Sequence, residues 1–328
     1  MRALALFSGG LDSMLSIKLI TDQGIDVTAL HIDMGFGASR DRSELLRKRA
    51  EMVGADFEIV NIREQFIEEI LFDPKYGYGK HFNPCIDCHG NMFRVAKGLM
   101  PKYDASFIIT GEVIGQRPMS QRAEAMRNVT RLAGDEEGGV ILRPMSAKLM
   151  TPTIPEKEGW VDREKLLAVE GRNREVQLRL AQEYGFEEYE SPGGGCLLTD
   201  GAFEQKMRDL IAHEKFMVED IELLKAGRHL RLPEGAKLVI GRNQEDNEHL
   251  SAIEHPKYLF AKAEDIPGPV ALLSRDATET ERALAAKLIL TYTKTPPGTE
   301  GKVKIGDESV VTEPFENKRF AQRYFVVK

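Results

Sequence analysis

Seven residues near the start of the chain, Phe7-Ser8-Gly9-Gly10-Leu11-Asp12-Ser13, restrict its possible folds more than any other stretch. They follow a short apolar run, residues 3–7, that has the pattern of a buried strand. They open a segment in which Leu11, Met14, Leu15 and Leu19 recur at helical spacing. Strand, glycine turn and helix N-terminus, in that order, make an anion site. Unpaired N–H groups converge there, and the helix dipole favours negative charge. Gly9 and Gly10 let the backbone approach a phosphate with no Cβ in the way. Ser8 and Ser13 offer hydroxyl donors. Asp12 is the odd member, because a carboxylate beside phosphates is repelled unless a cation bridges them. It reads as a holder of Mg²⁺ or water. No lysine follows the glycines, so this is not the GxxxxGK[ST] loop.

The pattern continues as an alternation. Residues 26–33, 56–62, 105–110 and 140–142 read as further strands, and 40–53, 64–71 and 88–100 as helices, with an aromatic-rich loop at 73–84. Alternating strands and helices predict an α/β domain with a doubly wound parallel sheet. Ligands of such sheets bind beyond the carboxyl ends of the strands, at the switch point. Met34 and Gly111, at the ends of the second and fourth strands, therefore join Ser8, Gly9, Gly10, Leu11, Asp12 and Ser13 as nucleotide-site candidates. Arg117 and Arg143, on loops after the fourth and fifth strands, are candidates for RNA or phosphate contact. Residues 143–161, with Pro144, Pro152 and Pro155, read as a connecting loop, and 163–184 as two helices broken at Gly171.

From residue 199 the texture changes. A helix from 203 running toward 224 leads into short strands at 228–232, 237–240, 258–261 and 270–273. A helix at 280–292 and a final strand pair, 302–305 with 323–327, follow. The expected organisation is a first domain over 1–198 and a second, smaller α+β domain over 199–328. A net charge of −7 gives no global pull on nucleic acid, so an RNA partner requires local basic patches. No apolar run is long enough to span a bilayer, and the N-terminus already reads as a strand. A cytoplasmic protein without a secretory leader is expected; the oligomeric state is left open.

Three cysteines remain, Cys85, Cys88 and Cys196, two of them as C-x-x-C. An odd, small number argues against a disulfide framework. A thiol near a helix N-terminus has its thiolate favoured by the dipole. Four chemistries compete for these residues. Haem attachment is suggested by C-x-x-C-H at 85–89 but belongs to exported proteins. Structural zinc needs a fourth ligand, such as His89. The others are a persulfide pair and a [4Fe–4S] cluster held by three thiolates with one iron open to sulfide.

Ser8 to Ser13 resemble the SGGxDS signature of the PP-loop ATP pyrophosphatases. With Asn83-Pro84-Cys85-Ile86-Asp87-Cys88 and the later Cys196, the chain resembles the tRNA thiolation branch of that family. Thr110-Gly111-Glu112 with Gly115-Gln116 is similar to a segment of its 4-thiouridine synthases, and residues 83–88 to one of its 2-thiouridylases. The resemblance covers about residues 1–198. It implies an adenine nucleotide alpha hydrolase-like fold, ATP with Mg²⁺, and adenylation of a uridine carbonyl followed by sulfur transfer. Asp12, Cys88 and Cys196 are then catalytic, Cys88 falling on the catalytic cysteine and Cys196 on the persulfide-bearing one. A branch with C-x-x-C plus one distant cysteine implies that Cys85, Cys88 and Cys196 hold a [4Fe–4S] cluster, with zinc or no metal as alternatives. The implied partners are tRNA and a sulfur donor: sulfide, a cysteine desulfurase or a sulfur carrier. Two departures stand out: His89 replaces an asparagine, and Cys85 is a third thiol that a two-cysteine mechanism does not require. Alternatives are a PP-loop amidating ligase, which needs no cysteines, and a non-catalytic RNA-binding protein.

In the second domain, residues 196–200, 226–232 and 240–247 resemble the NFACT-type RNA-binding region. Arg228, His229, Arg231 and Arg242 are candidates for a phosphate track. Phe315, Lys318, Arg319, Phe320, Arg323 and Tyr324 interleave bases with rings, as stacking plus backbone neutralisation requires.

Overall fold

A computed structural model describes residues 1–37, 42–136, 139–189 and 195–327. The chain divides into two compact units, Met1–Thr199 and Asp200–Lys328.

The first unit is built on five strands: β1 (Arg2–Leu6), β2 (Asp26–Asp33), β3 (Asp56–Asn61), β4 (Phe107–Thr110) and β5 (Ile141–Leu142). They lie in the order β3-β2-β1-β4-β5, every pair parallel. The order reverses at β1, so the crevice between the ends of β1 and β4 is the switch point. The helices are α1 (Leu11–Thr21), α2 (Ser43–Met52), α3 (Arg63–Phe66), α4 (Cys85–Leu99), α5 (Ala123–Leu132), α6 (Ile154–Lys157) and α7 (Glu175–Glu183); α3 runs on into a π-helical turn, Ile67–Leu71. Alternation along each strand divides the core in two. Ala3, Ala5, Val27 and Ala29 pack with Met14, Leu15 and Ala181 of α1 and α7. Leu4, Leu30 and Ile108 pack with Phe93 and Ala96 of α4 and Val129 of α5. A sheet covered on both faces explains why its strands read as continuous apolar runs.

Three expectations for this unit fail. Of the two helices expected over 163–184, only α7 forms; residues 163–165 make one 3₁₀ turn. The stretch beyond it runs extended, with Leu167 N–H bonded to Pro144 O (3.0 Å), Val169 N–H to Met145 O (2.8 Å) and Gly171 N–H to Ile114 O (2.7 Å). Tertiary backbone pairing wins over local propensity there. Helix α5 was not expected, and α6 interrupts the expected loop.

The second unit contains β6 (Arg228–Arg231), β7 (Lys237–Ile240), β8 (Tyr258–Ala263), β9 (Val270–Ser274), β10 (Gly301–Ile305) and β11 (Glu308–Thr312). They form an antiparallel sheet in the order β11-β10-β8-β9-β7-β6. Its helices are α8 (Gly201–His213), α9 (Asp220–Lys225), α10 (Gln244–Ser251) and α11 (Glu279–Thr291). Ala285, Leu288 and Ile289 of α11 bury one sheet face with Ala261, Ala263, Val303 and Ile305. The single helix expected from 203 toward 224 is two helices, α8 and α9. The partner of β10 is β11, not residues 323–327. The first two of those end a 3₁₀ helix, Lys318–Tyr324, and Phe325 beyond it forms an isolated bridge to Leu230. Among the described residues no helix is long and apolar enough to cross a membrane.

Candidate active site

Between β1 and α1 the chain turns through Gly9, whose φ of +74° lies in the left-handed region. Ser8 Oγ accepts from the Gly10 N–H (3.3 Å) and stands 3.4 Å from Ser13 Oγ. Ser13 Oγ donates to the Gly10 carbonyl (2.7 Å). Behind the turn, Arg49 of α2 donates to the Gly9 carbonyl (3.1 Å). Gly111 follows β4 directly and presses against α1: a Cβ there would lie 2.5 Å from Ser13 N. The Gly111 backbone thus lies directly against the first turn of α1.

Asp12 stands in the first turn of α1. Its Oδ2 accepts from Gln116 Nε2 (2.8 Å), while its Oδ1 is buried without a hydrogen-bond partner. Gln177 of α7, fully buried, reaches Gln116 Oε1 at 3.5 Å. A buried polar atom left without a partner costs about 1–3 kcal/mol, more when charged. A cation or a water it holds relieves that cost, so a glycine turn at a helix N-terminus with this oxygen beside it suits a Mg²⁺-nucleotide. Gln116 and Gln177 are residues that sequence reasoning did not place at the site. The only signal was Gly115-Gln116 in the motif after the fourth strand.

Two cysteines lie on α4. Cys85 begins it, its Sγ accepting from Asn83 Nδ2 (3.1 Å), and Cys88 sits one turn in, with Sγ 3.2 Å from Met34 Sδ. Met34 immediately follows β2. Two residues on, the Phe36 carbonyl accepts from the Leu197 N–H (2.9 Å), which holds the segment of Cys196 at the same sheet edge. The three cysteines are free thiols. Burial, then the charges of Cys196, Cys85 and Asp87, push the Cys88 thiol well above its ordinary range. Burial, with Cys85 adding to it, pushes Cys196 up to about 11, although backbone hydrogen bonds from Leu198 and Thr199 and the charge of Arg117 pull the other way. The dipole-favoured thiolate expected at Cys88 gives way to burial and like charge. Among the described residues, no group of three or more His, Cys, Asp and Glu side chains is arranged to hold a metal ion. The donor set has the chemistry of a cluster site, and its present arrangement does not close on a metal. Residues 190–194, which lead to Cys196, lie outside the described residues.

His89 has another partner. Its Nδ1 pairs with Glu112 Oε1 (2.9 Å), and Glu112 Oε2 accepts from Arg143 Nε (3.0 Å). Burial drives the Glu112 carboxyl up, but Arg143 and His89 outweigh it and hold it below the usual carboxylate range. The Arg143 side chain, expected from its loop to contact RNA or phosphate, is only 5% exposed and is paired with Glu112. Arg117 is exposed, and its charge reaches Cys196.

The expected phosphate track of the second unit is also mostly committed. Arg231 grips Asp209 through Nε (3.1 Å) and NH2 (2.7 Å), and Lys237 Nζ joins the same carboxylate (2.6 Å). Arg242 holds Asp246 (2.6 and 3.0 Å). His229 is buried and bonded to the Ala226 carbonyl; burial first, then Lys237 and Lys206, push its pKa well down, so it is neutral. Arg228 lies over the Tyr292 ring (4.8 Å), as does Lys318 (5.6 Å). Phe315 stacks on Phe320 (5.5 Å), Arg323 lies over Phe320 and Tyr324, and Arg319 is exposed.

Fold and cradle together define the class: a HUP-type, PP-loop-like α/β domain, with a separate antiparallel-sheet domain in the same chain. Residues 2–77 match the arginosuccinate synthase N-terminal HUP domain, and residues 227–325 the NFACT protein RNA binding domain. Among curated proteins, the chain is 31% identical over 107 residues to tRNA-specific 2-thiouridylase MnmA 2 of Fusobacterium nucleatum, covering 32% of this chain and 31% of that protein. It is 30% identical over 102 residues to tRNA-specific 2-thiouridylase MnmA of Frankia alni, covering 27% of this chain and 29% of that protein. The matched stretches thus span about a third of these relatives. A solved 4-thiouridine synthetase–RNA complex with bound ATP is similar at a TM-score of 0.39 and 19% identity, over 68% of this chain and 52% of that one, a likeness too slight to build on.

Proposed function

We propose that this protein is an ATP-dependent tRNA sulfurtransferase that exchanges a uridine carbonyl oxygen for sulfur. One observation carries the reading. The unpartnered Asp12 oxygen stands in a glycine cradle at the sheet edge where Cys88 meets Met34 and the Cys196 segment is tied to Phe36. The names of the partial relatives and the RNA-binding family match support the choice of tRNA.

ATP lies on residues 8–13, with Mg²⁺ on Asp12, whose second oxygen Gln116 fixes. The uridine carbonyl oxygen attacks the α-phosphorus, and pyrophosphate leaves as the N3 proton is lost. Loop N–H groups stabilise the charge gathering on the phosphates. A hydrosulfide-level sulfur then adds at the carbon. AMP departs with the original oxygen, the sulfur's proton passes to N3, and a thiocarbonyl remains. For the cofactor we propose a [4Fe–4S] cluster, for which Cys85, Cys88 and Cys196 supply three thiolates; when bound it offers one open iron for sulfide. A second reading places a persulfide on Cys196 and uses Cys88 to release its sulfur as a disulfide forms. It is favoured by the nearness of the two thiols, since the charge of Cys196 bears directly on Cys88.

The test incubates the protein with unmodified tRNA, Mg²⁺-ATP and sulfide, followed by nucleoside mass spectrometry. Thiouridine that depends on ATP is expected. Its absence while the tRNA is bound and ATP is turned over would overturn the reading.

A further inference from the structure

On the second unit, α11 covers one sheet face, that of Ala261, Ala263, Val303 and Ile305, and the residues alternating with these face the second. The β8–β10–β11 end of that second face is left open. Side chains directly opposite on paired strands share a face. Lys262 of β8 lies opposite Lys304 of β10, and both are exposed. Two residues along from Lys262 is Phe260, 39% exposed, with the Lys262 ammonium 6.0 Å from its ring centroid. Two residues along from Lys304 is Lys302, also exposed. Among the described residues, no ion pair includes any of these three lysines. The acid on this face, Glu264, accepts instead from Ser309 Oγ (2.9 Å). Like charges set directly opposite each other weaken a sheet. Folding gives no reason for the Lys262–Lys304 pair, whereas an anion lying across both strands does.

We infer that this open face binds a single-stranded stretch of RNA, its phosphates on Lys262, Lys304 and Lys302 and one base stacked on Phe260. The charge of the face and its exposed ring select this occupant: backbone neutralisation beside a stacking platform is how sheets take unpaired RNA. The inference rests on the reading above that the protein acts on tRNA. It adds a contact surface on the side of the sheet opposite α11.

The test measures binding of labelled, unmodified tRNA to the full-length protein across a salt series. F260A, K262E and K304E are compared with K165E, a charge-matched control on the first unit. At least tenfold weaker binding is expected for K262E and K304E, with a log–log salt slope shallower by about 0.7 per lost contact. F260A should weaken binding about five- to tenfold. K262E exchanges repulsion across β8–β10 for attraction, so its melting temperature should not fall even as binding does. Affinities of all three variants within twofold of wild type, while wild type binds tRNA, would overturn the assignment of this face. A wild-type protein that fails to bind tRNA would overturn the broader reading with it. Unchanged tRNA binding with K262E-sensitive binding to phosphatidylserine vesicles would assign the face to a lipid surface and overturn the proposal.

Discussion

Asp12 is the residue on which the nucleotide chemistry turns. One oxygen is fixed by Gln116 and the other is left without a partner. Asp12→Asn keeps the shape and removes the charge, so AMP formation should fall roughly 10²-fold with little change in stability. Gln116→Ala leaves the charge but frees the rotamer; the apparent affinity for Mg²⁺ should weaken more than the maximal rate does. A Mg²⁺ titration of AMP release separates the two, and an Asp12→Asn variant at full rate would remove Asp12 from the mechanism. Gly111→Ala forces a methyl onto Ser13 N and should cost about 1–3 kcal/mol, read as a lower urea midpoint. The thiols make a further prediction. Both Cys88 and Cys196 have raised pKa values, so at neutral pH almost no thiolate is present. Alkylation of Cys196 in the metal-free protein should be slow at pH 7 and climb with pH until about 11. Rapid modification at pH 7, followed by peptide mass spectrometry, would contradict the burial argument.

At the scale of elements, Glu112 ties α4 to the loop after β5 through His89 and Arg143. Its carboxyl is held below its unfolded value of about 4.3. The stabilisation is therefore fully present above that pH and lost as acid carries the carboxyl through its folded pKa. Denaturant midpoints should drop below about pH 4.5 in the wild type, and less steeply in Glu112→Gln. That variant should itself cost about 3–5 kcal/mol at pH 7, because it leaves a buried arginine without its counter-charge. The element pattern also shows what could be read in advance. Strand β2 was legible to the residue because its apolar run is bounded by Gly24 and Gly35 and buried on both faces. The glycine cradle was legible because one local motif encodes it. Helix α5 was legible as well and went unexpected: its buried residues, Ala125, Met126 and Val129, recur at helical spacing with charges on the other side. The helix expected before Gly171 failed because its backbone is paired with residues 114, 144 and 145. The pairing that takes up Arg231 was illegible for a related reason, since Asp209 lies 22 residues away and no spacing rule joins them. Side-chain partners made by tertiary contact leave no local signature.

For the molecule as a whole, each unit carries its own core: the two-faced parallel sheet in one, and the leucine- and alanine-rich layer beneath α11 in the other. Residues 200–328 alone should therefore unfold cooperatively in a circular-dichroism melt, and a gradual, unstructured trace would contradict the division. The central claim, that a uridine carbonyl oxygen is adenylated and leaves with AMP, spans cradle and thiols together. The most direct measurement uses tRNA transcribed with ¹⁸O at the uridine carbonyls, incubated with the protein, Mg²⁺-ATP and sulfide, followed by mass spectrometry of the nucleotides. The account predicts one ¹⁸O in each AMP formed alongside thiouridine. Thiouridine formed while the AMP stays unlabelled, or ATP cleaved to ADP instead, would contradict it.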